Sequence, residues 1–306
     1  AQGKSVRAIY NKTLIEDIVD PKLEQLHCDI LDVVGLEEVI QDVDELYHCA
    51  GFISYVPKDA SKLYKINVEG TANVVNVALH AGIKKMVHVS SIAALGQPSS
   101  RGGMADEQME WTGSGKKNNY GKSKYMGELE VWRAIAEGLN AVIINPSLIL
   151  GPGNWNKGST EIFKSIYNEL PWYTEGMTGF VDVRDVARSM IMLMESDIVS
   201  QRFIVNAENE NFRNVFNMIA TKFNKRLPTM KVTAFLAGLV WRFEKVKSIL
   251  TGKRPIITKE TAASAMGIQR YDNSKLKTYL PSFNYYPLAQ TIDYTCTALQ
   301  QKLNKQ

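Results

Sequence analysis

Short apolar segments alternate with helical patterns through the first half of the chain, and this alternation constrains the fold most strongly. Residues 141–145 read Ala-Val-Ile-Ile-Asn, an almost continuous apolar run. Such runs are typical of parallel strands that are covered by helices on both faces. Further strands are predicted at residues 5–10, 45–49, 85–89 and 202–205, and helices at residues 60–81, 120–138, 182–195, 211–224 and 287–303. The sequence therefore predicts an α/β fold with a doubly wound parallel sheet, in which ligands bind at the carboxyl ends of the strands.

The pattern changes after Pro146, where Gly151-Pro152-Gly153 interrupts the chain and the later segments become mostly helical. We predict a nucleotide-binding domain at residues 1–150 plus about 180–206. A smaller, mostly helical C-terminal cap is predicted at about 151–179 and 207–306.

Composition excludes several classes of protein. The net charge of +4 over 306 residues is too small to indicate a nucleic-acid partner. Three cysteines cannot form a paired disulfide framework, which favours a reducing, cytoplasmic setting. No apolar run approaches the roughly 20 residues that a membrane-spanning helix needs. The four histidines fall in separate predicted elements, so we expect no metal site.

A basic amphipathic segment at residues 232–250 has two interpretations. Its apolar residues recur every three or four positions, and lysine and arginine flank it. It is either a helix that contacts a membrane surface or a cap helix with solvated charges. We favour the cap helix and predict no membrane partner, while peripheral contact stays open.

Two segments carry candidate catalytic groups. A predicted strand ends in Ser90 and Ser91, and Tyr120 and Lys124 follow at the start of a helix, 29 residues on (91 to 120). The i, i+4 spacing places the phenol and the ammonium on one helix face. A nearby lysine lowers the pKa of a phenol, and a serine can hydrogen-bond the same substrate oxygen. The set predicts proton transfer to a carbonyl or from an alcohol.

The spacing alone is a weak signal, because Tyr271 and Lys275 repeat it. That second copy has no serine-ended strand before it. The Ser90-Ser91 strand end is therefore what makes the Tyr120 and Lys124 copy the candidate.

Several further motifs occur in a fixed order. They are Cys28-Asp29-Ile30, His48-Cys49-Ala50-Gly51, Asn67-Val68-Glu69-Gly70-Thr71, Val89-Ser90-Ser91-Ile92-Ala93-Ala94-Leu95-Gly96, Asn145-Pro146-Ser147 and Val181-Asp182-Val183-Arg184-Asp185-Val186-Ala187. In these motifs the chain resembles the extended short-chain dehydrogenase/reductases, also called the NAD-dependent epimerase/dehydratase superfamily, which have a Rossmann-type fold.

The resemblance implies a role for each catalytic candidate. Tyr120 exchanges the proton, and Lys124 lowers the pKa of Tyr120 and binds the nicotinamide ribose. Ser91 hydrogen-bonds the reacting oxygen, and Asn67 supports a water molecule behind Lys124. Implied cofactor contacts are Asn11, Lys12, Asp29, Ile30, Cys49, Ala50, Gly51, Ser90, Tyr120, Lys124, Pro146 and Ser147.

The region after the first predicted strand bears on the choice of nicotinamide cofactor. NAD-dependent relatives hold the ribose 2′-hydroxyl with an acid at this place. Here Asn11 and Lys12 follow residues 8–10, and no acid is present. We therefore favour NADP(H), with NAD(H) as the alternative.

The beginning of the chain departs from the family pattern. The family opens with a strand and a Gly-x-x-Gly-x-x-Gly turn that binds pyrophosphate, and neither occurs here. Residues 1–4 look like the end of the helix that follows this turn. We expect that roughly 20–25 residues of a βα unit are missing from the sequence. The alternative is a relative that has lost its cofactor.

Within the family, residues 48–54 and 232–250 look most like the dihydroflavonol reductase and 3β-hydroxysteroid dehydrogenase branch. This branch implies a reductase for a small hydrophobic carbonyl substrate, with candidate contacts at Phe52, Tyr55, Ile92, Ala93, Trp155 and Phe180. A nucleotide-sugar epimerase or dehydratase that uses the same residues is the first alternative. A non-catalytic dinucleotide-binding protein is the second. The resemblance also implies a homodimer formed through the helices at 60–81 and 120–138.

Overall fold

The computed structural model describes residues 3–15, 18–96, 98, 103–111, 119–233, 235–239, 241–242 and 258–304. The strands are β1 Val6–Tyr10, β2 Leu23–His27, β3 Glu45–His48, β4 Lys85–Val89, β5 Met104–Ala105, β6 Ala141–Pro146, β7 Leu148–Leu150, β8 Trp172–Tyr173, β9 Met177–Asp182, β10 Gln201–Val205, β11 Glu208–Asn211, β12 Met230–Lys231 and β13 Arg270–Tyr271. The helices are α1 Val33–Ile40, α2 Ala60–Tyr64, α3 Gly70–His80, α4 Asn119–Ala136, α5 Thr160–Tyr167, α6 Val183–Glu195, α7 Phe212–Lys222, α8 Lys259–Met266, α9 Ser274–Tyr279 and α10 Leu288–Leu303.

Four parallel strands in the order β10-β6-β4-β3 form the main sheet. Every residue of β6 is buried, as its apolar run predicts. One apolar cluster fills the space between this sheet and α1, α3 and α4, and another packs α6 against β6 and β10. Helices on both faces confirm the predicted α/β architecture, and they leave the carboxyl ends of β3, β4 and β6 side by side.

Strands β1 and β2 form a separate parallel pair. Lys4 joins this pair to the main sheet through an ion pair with Glu45 of β3, at 2.7 Å. Arg7 of β1 also donates to the carbonyl oxygen of Val39, at 3.0 Å. Val6 and Ile9 of β1 are 53% and 39% exposed, so in the described residues this strand is less covered than the strands of the main sheet.

The predicted helix at 60–81 is not uniform. A π-helical segment, Lys65–Glu69, lies between α2 and α3. Helix α4 passes close to this segment at Gly127, where a Cβ atom would stand 2.1 Å from the carbonyl oxygen of Asn67. A glycine at this position in α4 therefore permits the close approach of the two helices.

The cap has its own core around a second sheet, in the order β11-β9-β7. Side chains from α5, α7 and α10 pack with this sheet in one apolar cluster. The chain returns to the main sheet only at β10, which pairs with β6. The predicted domain boundaries stay a prediction.

The basic segment at 232–250 lies only partly within the described residues. Residues 235–239 and 241–242 are helical, and residues 234, 240 and 243–250 lie outside the described part. Across the described ranges, no helix combines the length and apolar character that a membrane crossing demands.

Candidate active site

Two elements that meet at one edge of the main sheet position the predicted catalytic groups. Ser91 follows β4 and begins a short 3-10 turn, where its Oγ accepts a hydrogen bond from the Ala93 amide at 3.1 Å. Tyr120 lies in the first turn of α4, and its hydroxyl group hydrogen-bonds the Ser91 side chain. The ring of Tyr55 meets the ring of Tyr120 edge-on, with 5.6 Å between centroids. Serine and tyrosine thus come together as the sequence predicts.

The environment of Tyr120 differs from the expectation. Burial raises the pKa of Tyr120, and the hydrogen bond with Ser91 lowers it only in part. The sequence resemblance implies that Lys124 lowers this pKa. In this structure the Lys124 Nζ instead donates to the carbonyl oxygen of Val89 at 2.8 Å, and removal of the phenol from water is the larger effect.

Lys124 is a buried cation, with 7% of its surface exposed. Burial lowers its pKa to about 8, while the Glu128 carboxylate acts in the opposite direction. Two neighbouring histidines near this charge, His48 and His88, have tilted rings whose centroids are 4.9 Å apart. Burial and the Lys124 charge lower the pKa of His48 to about 3, so both rings are neutral at neutral pH. The ammonium is therefore the positive charge of this cluster.

Asn67 lies in the π-helical segment and connects three parts of the site. Its Oδ1 accepts from the Phe52 amide at 2.7 Å, and its Nδ2 donates to the Phe52 carbonyl at 2.9 Å. The same Nδ2 donates to the Ser123 hydroxyl at 2.9 Å. These bonds attach the loop after β3 to α4. The water-supporting role predicted for Asn67 stays a prediction.

The ends of β3 and β6 carry several of the predicted cofactor contacts. Cys49, Ala50 and Gly51 are exposed at the end of β3. A Cβ atom at Gly51 would stand 3.4 Å from Asn67 Oδ1 and 3.8 Å from Lys124 Nζ, so this glycine lies against both side chains.

Ser147 follows Pro146 at the end of β6, and its buried hydroxyl has no hydrogen-bond partner among the described residues. This orphaned hydroxyl and the exposed residues 49–51 fit the nicotinamide end of a dinucleotide.

The predicted contacts at the adenine end lie after β1 and β2. The Asn11 amide donates to Asp29 Oδ2 at 2.6 Å, and Lys12 beside it is exposed. Ile30 is buried against Gly70, where a Cβ atom would come within 2.5 Å of its Cδ1. Asn11 and Asp29 are thus brought together, whereas the Ile30 side chain is part of the core.

Ser90 differs from Ser91 in its surroundings. Its hydroxyl donates to Glu128 Oε2 at 2.6 Å, and the residue is 5% exposed. Alternating residues of an extended strand point to opposite sides, so Ser91 faces Tyr120 while Ser90 faces the interior. Ser90 therefore holds a buried carboxylate, and its predicted cofactor contact stays a prediction.

The predicted substrate contacts separate into two groups. Tyr55, Ile92 and Ala93 lie beside Ser91 or Tyr120, and Phe52 lies on the neighbouring loop, with Lys62 Nζ 4.4 Å from its ring centroid.

Trp155 and Phe180 lie elsewhere, in the core of the cap. Phe180 has 0% exposure and packs edge-on against Phe212 at 5.8 Å, and Trp155 packs against Tyr167 at 5.6 Å. These two rings are part of the cap core. The sequence could not indicate this, because order along the chain does not distinguish core aromatic residues from pocket residues.

Sequence reasoning missed Glu128 and its partners. Glu128 has 1% exposure, and it lies four residues after Lys124 on the same face of α4. Its spacing from Lys124 is the signal that was present, because residues at i and i+4 share a helix face. A glutamate on an amphipathic helix usually lies in solvent, which explains the omission.

Comparison with known proteins gives the family. The model of the NAD dependent epimerase/dehydratase family matches residues 1–206. The chain belongs to this family. The match confirms the predicted resemblance to the extended short-chain dehydrogenase/reductases, and it places the chain among NAD-dependent enzymes.

Curated relatives in the epimerase/dehydratase family include reductases. A Synechocystis protein described as "Putative dihydroflavonol 4-reductase" is 30% identical over 90% of this chain and 81% of its own length. Cinnamoyl-CoA reductase 1 of Petunia hybrida is 31% identical, over 68% of this chain and 64% of its own length. The chain thus spans less than two thirds of the Petunia enzyme.

Solved structures of the family share the fold. The crystal structure of gox2253 superposes with a TM-score of 0.81 and 28% identity, covering 97% of this chain and 90% of that one. DesIV, a dTDP-glucose 4,6-dehydratase from Streptomyces venezuelae with NAD bound, gives a TM-score of 0.74 at 17% identity, covering 94% and 82%. At that identity the second likeness shows the fold alone.

Proposed function

We propose that the protein is an NAD(P)-dependent oxidoreductase that reduces the carbonyl group of a small hydrophobic substrate, or oxidises the corresponding alcohol. One observation carries the proposal: the Tyr120 hydroxyl, hydrogen-bonded to Ser91, lies one helical turn before the buried ammonium of Lys124. These groups meet at the carboxyl ends of parallel strands, where α/β proteins bind ligands.

Each side chain has a distinct task in this reaction. Tyr120 donates the proton to the carbonyl oxygen, and in the reverse direction it accepts the proton of the alcohol. The Ser91 hydroxyl donates a hydrogen bond to the same oxygen and stabilises the negative charge that develops there. The Lys124 ammonium favours the ionised phenol once the site is filled. A bound nicotinamide dinucleotide supplies or accepts the hydride.

The surroundings of Tyr120 support a hydrophobic substrate. Tyr55 presents a ring to the Tyr120 ring, and Ile92 and Ala93 continue from Ser91. Aromatic and aliphatic walls with few polar groups are typical of pockets for small apolar ligands. Relatives described as dihydroflavonol 4-reductase and cinnamoyl-CoA reductase support a reductase rather than an epimerase.

We further propose that NADP(H) is preferred over NAD(H). The acid that would hold a ribose 2′-hydroxyl is absent after β1, and Asn11 occupies the place with Lys12 beside it. Asn11 is already bonded to Asp29, so the exposed Lys12 is the group available for a 2′-phosphate.

A fluorescence titration of the full-length protein with NADPH and with NADH tests the cofactor. We expect binding of both, with NADPH bound more tightly, and Lys12→Ala should reduce the difference. Equal binding of the two nucleotides would contradict the NADP(H) preference. If a folded protein bound neither nucleotide, the proposed oxidoreductase function would be contradicted.

Steady-state oxidation of NADPH with a panel of hydrophobic aldehydes and ketones then tests the reaction. We expect consumption of one NADPH for each alcohol formed. An epimerase returns the hydride to its substrate, so conversion of a nucleotide sugar with no net consumption of NADPH would overturn the reductase proposal.

A further inference from the structure

A buried carboxylate lies on the same helix as Lys124. Glu128 follows Lys124 by one turn of α4 and is 1% exposed. Its Oε2 accepts hydrogen bonds from the Ser90 hydroxyl at 2.6 Å and from the Asn145 Nδ2 at 2.9 Å. Asn145 Nδ2 also donates to the Ser91 carbonyl oxygen at 3.0 Å. One carboxylate oxygen thus connects α4 to the ends of β4 and β6.

The second carboxylate oxygen reaches a different strand. Glu128 Oε1 accepts from Arg202 Nη1 of β10 at 2.9 Å and from the Trp132 indole at 3.3 Å. Arg202 is 14% exposed in this ion pair. A buried carboxylate costs free energy unless it is hydrogen-bonded and paired with a cation, and here four donors surround it.

The charge of Glu128 acts on Lys124. Burial disfavours the ammonium, and Glu128 is the principal group that opposes this effect. Among the described residues, Cys49 acts in the same direction with a smaller effect, and the neighbouring His48 and His88 are neutral. The charge on Lys124 therefore depends on a carboxylate that faces away from the open end of the site.

We propose that Glu128 is a positioning residue for the catalytic groups, because its carboxylate balances the Lys124 ammonium and fixes the Ser91 backbone through Asn145. Its effect on the reaction rests on the proposed function, whereas its effect on the charge of Lys124 does not. The two effects are therefore tested by separate measurements.

The first test is a pH titration of Lys124 by NMR in protein labelled with ¹³C at lysine Cε, with Lys124→Met assigning the signal. Glu128→Gln keeps the shape of the side chain and removes its charge. We expect the midpoint of the Lys124 titration, about 8 in the parent protein, to fall by about one pH unit or more. An unchanged midpoint would overturn the proposal.

Glu130→Gln is the matched control. Glu130 lies on the same helix and pairs with Arg133 at the surface, at 3.0 Å. The substitution removes the same charge two residues away, and we expect no change in the Lys124 midpoint. An equal fall in this variant would show a general effect of net charge and would also overturn the proposal.

Arg202→Met should shift the Lys124 midpoint in the opposite direction, and it can be measured even if Glu128→Gln does not fold. Without the Arg202 guanidinium, no cation on β10 offsets the Glu128 charge, so this charge should stabilise the Lys124 ammonium more strongly. The midpoint should then move to higher pH. A movement to lower pH would contradict the proposed role of Glu128.

The second test is the pH profile of kcat/KM. Glu128→Gln should move its basic limb to lower pH with the Lys124 midpoint, an effect that simple loss of stability does not produce. If the Lys124 midpoint moves and the parent protein reduces no carbonyl substrate, the charge role stands and the proposed function fails. If activity is present and the limb stays in place while the midpoint moves, the positioning role fails.

Discussion

The chain contains the Tyr-x-x-x-Lys pattern twice, and the two copies have different surroundings. Tyr120 and Lys124 lie on one helix, and the Tyr120 hydroxyl bonds to Ser91. Tyr271 ends the short strand β13, and Lys275 lies in the next helix, α9. The same spacing therefore does not place the second pair on one helix face.

The partners of the second copy are structural. The Tyr271 hydroxyl donates to Gln269 Oε1 at 2.9 Å, and Lys275 Nζ donates to the Arg202 carbonyl oxygen at 3.0 Å. Lys275 Nζ also lies 5.0 Å from the centroid of the Phe203 ring. The two copies thus share a spacing but not their surroundings: Tyr120 bonds to Ser91, whereas Tyr271 and Lys275 bond to groups outside the candidate site.

The largest expected effect separates the two tyrosines. Tyr120→Phe removes the proton donor and should lower kcat by about 10²–10⁴-fold, with dinucleotide binding retained. Tyr271→Phe is the matched control and should change kcat only slightly, because its hydroxyl bonds to Gln269. Both rates are measured per mole of folded protein. Similar losses in the two variants would remove the distinction between the copies.

A second prediction concerns the packing that supports the first copy. In Gly127→Ala the new Cβ would stand 2.1 Å from the Asn67 carbonyl oxygen, so α4 and the π-helical segment must move apart. We expect a loss of about 1–3 kcal/mol in the free energy of unfolding, measured by urea denaturation.

Gly153→Ala is the control for this substitution. Its new Cβ would meet Thr160 at 3.5 Å, an ordinary contact. Its free energy of unfolding should stay within about 0.5 kcal/mol of the parent value. A similar loss at both glycines would show that the close approach at Gly127 is not responsible.

The close approach at Gly127 also shows what the sequence could predict. The buried strands of the main sheet could be located from apolar runs, and β6 is the clearest case. The π-helical segment did not, because one extra residue in a turn leaves the apolar spacing of the flanking helices almost unchanged. Strand β2 is short and partly charged, Leu-Glu-Gln-Leu-His, and carries little apolar signal of its own.

The candidate site was predictable to the extent that local motifs define it. Ser91 and Tyr120 were expected together and lie together. The pKa of Tyr120 was not predictable, because burial depends on the packing of Tyr55 and other distant segments. The contact of Glu128 with Arg202 joins residues 74 positions apart, and no local pattern indicates it.

The third prediction uses the two lysines. The pKa of Lys124 is about 8 in the folded protein, below the value of 10.5 for a free lysine. The ammonium therefore predominates below pH 8 and the neutral amine above it, so kcat/KM should fall as the pH rises through about 8. Lys275→Met should leave the pH at which kcat/KM falls unchanged, because Lys275 belongs to the second copy. If this pH changed in Lys275→Met, the fall in kcat/KM could not be assigned to the titration of Lys124.

The smallest expected effect concerns Tyr55, whose electrostatic interactions extend to both Tyr120 and Tyr271. Its ring contacts Tyr120, and we propose that it lines the substrate side of the first copy. Tyr55→Phe keeps this ring contact and removes only a hydroxyl group. We expect kcat to change by less than about twofold and KM for an apolar carbonyl substrate to stay the same or fall slightly, because a phenol is more costly to desolvate than a phenyl ring.

Tyr55→Ala removes the ring and should raise KM several-fold through lost apolar contact, with a smaller effect on kcat. A loss confined to kcat in Tyr55→Ala would mean that the ring orients Tyr120 and does not contact substrate. The first copy would then depend on Tyr55 for the geometry of its phenol, as it depends on Ser91, and the difference between the two copies would extend to the loop after β3.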